Sequence, residues 1–260
     1  MTELLLLERQ AHLAIITLNR PERMNALSRD LLLEIGEVGR KLVQDPEVRA
    51  VVLTGSGDRA FCAGADLKER REMSDDDIRR QLHLYESELG WLSAPHFPTI
   101  AALNGVALGG GLELALCCDL RVAVATAELG LPETSLGIIP AAGGTQRLVR
   151  VVGEARAKEM ILLAQRLSAK EALAIGLVHR VVKNPTKLLA KTLEYIQPIL
   201  EAAPIAERAA LRAIAAAGDL PLSAGLAMER QCYEPCLSST DRKEALAAFA
   251  EKRRPTYFGK

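Results

Sequence analysis

The sequence predicts an α/β core followed by a helical C-terminal region, and two observations carry that expectation. Through the first half of the chain, short β-branched runs alternate with segments of helical period, the strand and helix order of α/β folds. Beyond about residue 140 the helical pattern continues almost alone. The bulk numbers agree, since 260 residues that are 49% hydrophobic and 25% charged can bury a sizeable core.

Taken in order, "MTELLLLERQ" has a short apolar run but an acidic flank, with no basic stretch and no small-residue cleavage site, unlike a secretory leader. "LAIITLNR" (Leu13 to Arg20) is β-branched and is stopped by Pro21. "SRDLLLEIGEVGRKLV" opens on a capping serine, Ser28, and carries apolar residues at helical spacing. "VRAVVLTG" reads as a buried strand ended by Gly55. In "SDDDIRRQLHLYESELGWLS", Ser74 with Asp77 makes a capping-box start. Strand "PTIAALNG" and a glycine-led helix follow. Later, "VHRVV" (Val178 to Val182) is the one remaining β-like run among the helical patterns "GEARAKEMILLAQ", "SAKEALAIG", "TKLLAKTLEYIQPIL", "PIAERAALRAIAAAG" and "PLSAGLAMERQCYEPCL". "STDRKEALAAFAEKRRPTYFGK" closes the chain with a capping hydroxyl, a helix and a basic, aromatic tail. The expected division is a core over 1–195 and a helical region over 196–260, with no sequence repeat.

Charge and cysteine content exclude several classes. Lysine plus arginine equals aspartate plus glutamate, 33 of each, so no global field draws nucleic acid or anionic membranes. No stretch approaches the roughly 18 apolar residues of a membrane span. Five cysteines without a disulfide-like spacing read as reduced core thiols of a cytoplasmic protein. Cys232 and Cys236 lie one helical turn apart, but no histidine or second cysteine pair near them completes a metal site. The four histidines, His12, His83, His96 and His179, show neither ligand nor triad spacing, and no G-x-S-x-G elbow is present. "TGSGDRA" imitates a dinucleotide-binding loop, yet no helix opens at its glycines and no acid ends a second strand at the required distance.

"NGVALGGGLELALCCDLRVA" raises a different possibility. A helix starting near Gly109 has first-turn N–H groups without intrahelical partners, at the positive end of its dipole. Glu113 follows Gly110 by three residues, on nearly the same face, so a backbone donor and a carboxylate flank one ligand position. Close helix packing at the glycines, with a buried cation beside Glu113, explains the same residues equally well. A second carboxylate tips the balance: Glu133, just after Pro132 at an expected helix start in "LGLPETSLGIIPAAGGTQRL", supplies the acid–base partner of a proton-transfer pair. The turn in "FCAGADLKE" offers a further N–H near Ala65. Two main-chain donors and two carboxylates make an enolate-handling site.

These stretches, with "NRPERMNAL" and the terminal "AFAEKRRP", resemble the enoyl-CoA hydratase/isomerase, or crotonase, family from roughly residue 10 to the C-terminus. "FCAGADLKER" and the ending are most similar to the branch that contains methylglutaconyl-CoA hydratases. The resemblance implies a crotonase-like superhelix of ββα turns and a C-terminal region that trimerises, with trimers pairing into hexamers. It assigns Ala65 and Gly110 to the oxyanion hole, Glu113 and Glu133 to catalysis, and Ala63, Ala65, Asp66, Leu67, Lys68 and Gly110 to the acyl-CoA substrate. Phe249 and Lys252, three apart on what reads as one helix, match positions that reach CoA, often from another subunit. The implied activity is enoyl-CoA hydration, with enoyl-CoA isomerase or 3-methylglutaconyl-CoA hydratase as alternatives. No separate cofactor is expected, CoA being part of the substrate.

An RNA-binding module is the non-enzyme alternative carried by the resemblance. The helix over Ser28 to Val43 opposes it, because Arg29, Arg40 and Lys41 are mixed with Asp30, Glu34 and Glu37 and leave no basic face. Arg70 and Arg71 are expected on a solvated face, with contact to a distal acyl carboxylate as the functional alternative.

Overall fold

Leucine- and isoleucine-rich runs pair first near the N-terminus. In this computed structural model, which describes residues 3–94 and 96–260, β1 (Leu5–Gln10) and β2 (Leu13–Leu18) form an antiparallel hairpin. Part of the first apolar run is therefore an edge strand, while Met1 and Thr2 of that run lie outside the described residues. β2 is buried almost throughout and leads into α1 (Arg29–Gln44), where the Ser28 side chain accepts the Leu31 N–H.

From residue 50 to residue 136, strands come in consecutive pairs, each followed by a helix or a helical turn. β3 (Ala50–Gly55) and β4 (Ala60–Cys62) precede α2 (Leu67–Arg70) and α3 (Asp75–Leu89). β5 (Thr99–Leu103) and β6 (Val106–Leu108) precede α4 (Gly110–Cys117). β7 (Leu120–Val124) and β8 (Glu128–Gly130) precede a single 3-10 turn at Glu133–Leu136 and then α5 (Gly144–Val152) and α6 (Glu154–Leu162). β9 (Arg166–Ser168), α7 (Ala169–Ala174), β10 (Arg180–Val182) and α8 (Leu188–Leu200) complete the core. The repeat is thus in the backbone and not in the residues, and β10 is not the last half's sole strand, since β9 precedes it.

The first strand of each pair enters one sheet and the second enters another. The large sheet runs β1-β2-β3-β5-β7-β10, parallel apart from the β1/β2 hairpin. The small sheet runs β4-β6-β8-β9, with β4, β6 and β8 parallel. Asn104 joins the two layers: its Oδ1 accepts the Gly55 N–H, and its Nδ2 donates to the Gly57 and Ala60 carbonyls. The core is aliphatic, with Ile16, Leu18, Leu53, Ile100 and Leu103 fully buried in the large sheet.

α9 (Pro204–Ala217), α10 (Leu222–Ser238) and α11 (Thr240–Glu251) follow as a helical region, α10 packing on both neighbours. They leave Ile214, Leu222, Leu226, Tyr233, Leu246 and Phe249 exposed. The expected joint helix for Phe249 and Lys252 needs correction: α11 ends at Glu251, and Lys252 stands beyond it with a left-handed φ of 55°. Among the described residues no helix is long and apolar enough to cross a membrane.

Candidate active site

Each site segment follows a parallel strand of the small sheet. β4 delivers Ala63 to Ala65, β6 delivers Gly109 and Gly110, and β8 delivers Pro132 and Glu133. Ligand positions at the carboxyl ends of parallel strands are general in α/β folds, because there the loops diverge and backbone groups are freed from the sheet. These three loops converge on a cavity of about 300 Å³, bordered on its far wall by Leu82 and Tyr85 of α3 and closed by Ile138, Ile139, Ala141 and Ala142.

The glycine-led helix begins at Gly110, with Gly109 as its cap. Its first residue lies against the β4 loop. A Cβ on Gly110 would stand 3.6 Å from the Ala65 nitrogen, and one on Gly64 would stand 3.3 Å from the Gly110 nitrogen. The Ala65 and Gly110 N–H groups are therefore neighbours, and neither finds a backbone acceptor among the described residues. Packing fixes the helix from below: a Cβ on Gly111 would lie 1.9 Å from the Cys62 carbonyl oxygen. At the other end Arg121, buried, donates to the Cys118 and Leu177 carbonyls, a cation at the C-terminus of the helix dipole.

Glu113 sits in the first turn of α4 and is buried. Its Oε1 accepts the N–H groups of Ala142 and Gly144, both at 2.7 Å. Burial pushes the carboxyl above its usual range, while these amides and the charge of Arg147 hold it down. Glu133 is different. It opens the 3-10 turn, with Pro132 at the cap and not at a first helical position, and its buried Oε2 has no hydrogen-bond partner. Burial pushes it up to about 7, with the Glu113 charge acting in the same direction and its own backbone N–H and Arg70 against it. Two carboxyls thus face one cavity, one held by amide donors and one with a buried oxygen left without a partner, an arrangement that separates a proton acceptor from a proton carrier.

Of the residues singled out from sequence, Ala63, Ala65, Leu67, Gly110, Glu113 and Glu133 all border the cavity. Asp66 and Lys68 do not. The Asp66 side chain caps α2, accepting the Lys68 and Glu69 N–H groups, and is paired with Arg20 at 2.8 Å. Phe249 and Lys252 are also absent from the cavity wall of their own chain. Arg70, expected on a solvated face, is half-buried and borders the cavity. Sequence reasoning missed Leu82 and Tyr85, whose positions in an ordinary amphipathic helix carry no mark of a site. The "IIPAAGG" run holds Ala142 and Gly144, which clamp Glu113, and its glycines at the start of a helix are the sequence signal for that clamp.

The Enoyl-CoA hydratase/isomerase family model matches residues 8–260. The chain is 42% identical to the short-chain-enoyl-CoA hydratase of Clostridium acetobutylicum over 249 residues, covering 96% of this chain and 95% of that one. It is 41% identical to the mitochondrial methylglutaconyl-CoA hydratase of Mus musculus over 255 residues, covering 97% and 81%. The crystal structure of an enoyl-CoA hydratase from Bacillus anthracis superposes with a TM-score of 0.96 at 44% identity, covering 99% of this chain and all of the other. With matches that span nearly the whole chain in both sequence and three dimensions, this protein belongs to the enoyl-CoA hydratase/isomerase family.

Proposed function

We propose that the chain is an enoyl-CoA hydratase that adds water reversibly across the double bond of a trans-2-enoyl-CoA. The observation that carries the reading is the pairing of Glu113 and Glu133 across a cavity whose remaining wall presents the free Ala65 and Gly110 N–H groups. Attack of water on the β-carbon moves negative charge onto the thioester oxygen. Two amide donors aimed at that oxygen stabilise the enolate as it forms. Glu113, held by amides, takes the proton of the attacking water, and Glu133 delivers a proton to the α-carbon. The step transfers no electrons between molecules, so it calls for no redox cofactor, and CoA enters as part of the substrate. An enoyl-CoA isomerase would use the same donors with one carboxyl shuttling a proton; the retention of both glutamates supports hydration.

A second reading of the acyl chain rests on Arg70. Its guanidinium borders a cavity otherwise walled mostly by apolar side chains, and an acyl group ending in a carboxylate, as in 3-methylglutaconyl-CoA, would neutralise it. The exposed apolar residues of α9–α11 support assembly as a homotrimer, or a hexamer of paired trimers, and the cysteine pattern supports a cytoplasmic setting. Loss of enoyl-thioester absorbance across crotonyl-CoA, longer enoyl-CoAs and 3-methylglutaconyl-CoA tests both readings. Failure to hydrate any of them would overturn the proposal.

A further inference from the structure

The clamp on Glu113 has a cationic backing. Gly143 lies in the chain between the two amides that hold Glu113, and the Arg147 side chain folds over it: a Cβ on Gly143 would stand 3.0 Å from Arg147 Nε and 3.4 Å from Cδ. Helix geometry produces this contact, because side chains in a first turn lean back toward the N-terminus. Gly143, with φ of 102° and no side chain, leaves the room. The adjacent Gly144 has the matching relation to the carboxylate, since its Cβ would lie 2.8 Å from Glu113 Oε1. One two-glycine turn thus separates a guanidinium from a buried carboxylate.

Arg147 is half-buried, and its side chain hydrogen-bonds to a neutral group, Ser93 Oγ, at 3.1 Å. It forms no ion pair among the described residues. Guanidinium stays charged at every working pH, and partial burial of a charge without a counter-ion is costly. The other titratable groups around Glu113 do not supply positive charge from this side: Glu133 faces it across the cavity, Tyr85 approaches from α3, Cys117 lies on α4 itself, and Arg70 sits with Glu133.

We propose that Arg147 is a positioning residue for Glu113: folded over Gly143 and tethered to Ser93, it fixes the turn whose amides clamp the carboxylate and sets a positive charge behind that clamp. The proposal rests on the reading of Glu113 as the base of hydration. Its test uses the full-length chain carrying Arg147→Met or Arg147→Lys. Two measurements are made: the pH dependence of kcat/KM for crotonyl-CoA, and a carbon-13 NMR titration of the Glu113 carboxyl, assigned with Glu113→Gln.

In Arg147→Met the acid limb and the carboxyl midpoint both move up, since an opposite charge is removed. The rate loss falls on kcat more than on KM. Arg147→Lys moves the midpoint back toward the wild-type value. A folded Arg147→Met variant with a slower rate but an unmoved midpoint marks a merely structural role and overturns the proposal. Should that variant not fold, Ser93→Ala decides instead by releasing the guanidinium: an upward shift supports the proposal and an unchanged midpoint overturns it. If the wild-type chain hydrates no enoyl-CoA, the functional reading falls, and the NMR titration still decides the case for Arg147.

Discussion

The Glu133 carboxylate lies directly over Gly109, where a Cβ would stand 2.9 Å from Oε1. Gly109 also has φ of 52° and ψ of −129°, a conformation open to glycine and strained for other residues. Gly109→Ala therefore displaces the carboxyl and strains the cap of α4 together. The expected outcome is a loss of about 1–3 kcal/mol in stability, read by urea unfolding, and at least a roughly tenfold loss of turnover in the protein that remains folded.

Replacing either carboxyl removes a proton-transfer group without changing its shape. Glu113→Gln and Glu133→Gln are each expected to lower crotonyl-CoA hydration by about two to four orders of magnitude while circular dichroism stays unchanged. Near-wild-type hydration by either variant would remove that residue from the mechanism.

The pH dependence follows from Glu133. Its carboxyl titrates near 7 in the folded chain against an ordinary value of 4.5. On the proposed role of Glu133 as the proton carrier to the α-carbon, kcat is expected to fall about tenfold per pH unit above that midpoint. Stability follows the same proton. The folded state holds it more tightly than the unfolded chain, so this contribution is complete below pH 4.5 and is lost as pH rises through about 7. Glu113, also raised by burial, adds to the same slope. Thermal melts across that range should show the decline, and Glu133→Gln should flatten it.

Asn25 is a stability position beside the site. It is fully buried with φ of 54°, its Nδ2 donates to the Ser56 and Ala60 carbonyls, and its Oδ1 accepts the Arg20 N–H. Asn25→Ala takes the side-chain partner from the part-buried Arg20 N–H and Ser56 carbonyl, leaves the Ala60 carbonyl with Asn104 alone, and forces alanine into a left-handed conformation. A loss of about 2–4 kcal/mol is expected in urea unfolding.

Phe249 and Lys252 call for single substitutions. Truncation at Phe249 would also remove the Tyr257 carbonyl that accepts from Arg49, and the Phe258 and Gly259 N–H groups held by Asp241. Phe249 is 86% exposed, as expected of a side chain offered to a neighbouring copy. Sedimentation should find trimers or hexamers. Phe249→Ala and Lys252→Ala should raise KM for enoyl-CoA about tenfold and leave a pantetheine thioester unaffected. Equal losses on both substrates would make the tail purely structural.

The legibility of the chain followed element length. The long strands at Leu13–Leu18 and Ala50–Gly55 and the capped helices at Ser28 and Ser74 announce themselves by period and capping chemistry. The strands that build the site, β4, β6 and β8, have three residues each, too few for a period to register. Glu113 and Glu133 were visible because a carboxylate in an apolar run is conspicuous. Tyr85 and Arg147 were not, because a tyrosine or an arginine on a helix is ordinary until folding turns it toward a carboxylate.

The strand order of the large sheet also has a consequence in time. β7 pairs with β5 on one side and with β10 on the other, and β10 lies more than fifty residues further along the chain. As the polypeptide leaves the ribosome, β2, β3, β5 and β7 can assemble in order of synthesis. The outer edge of β7 then stays open until Arg180–Val182 emerges. Such an unpaired apolar edge is a template for the wrong partner. A pause in translation before that point would lengthen the nascent chain's exposure to aggregation and chaperones, whereas a pause after it would not.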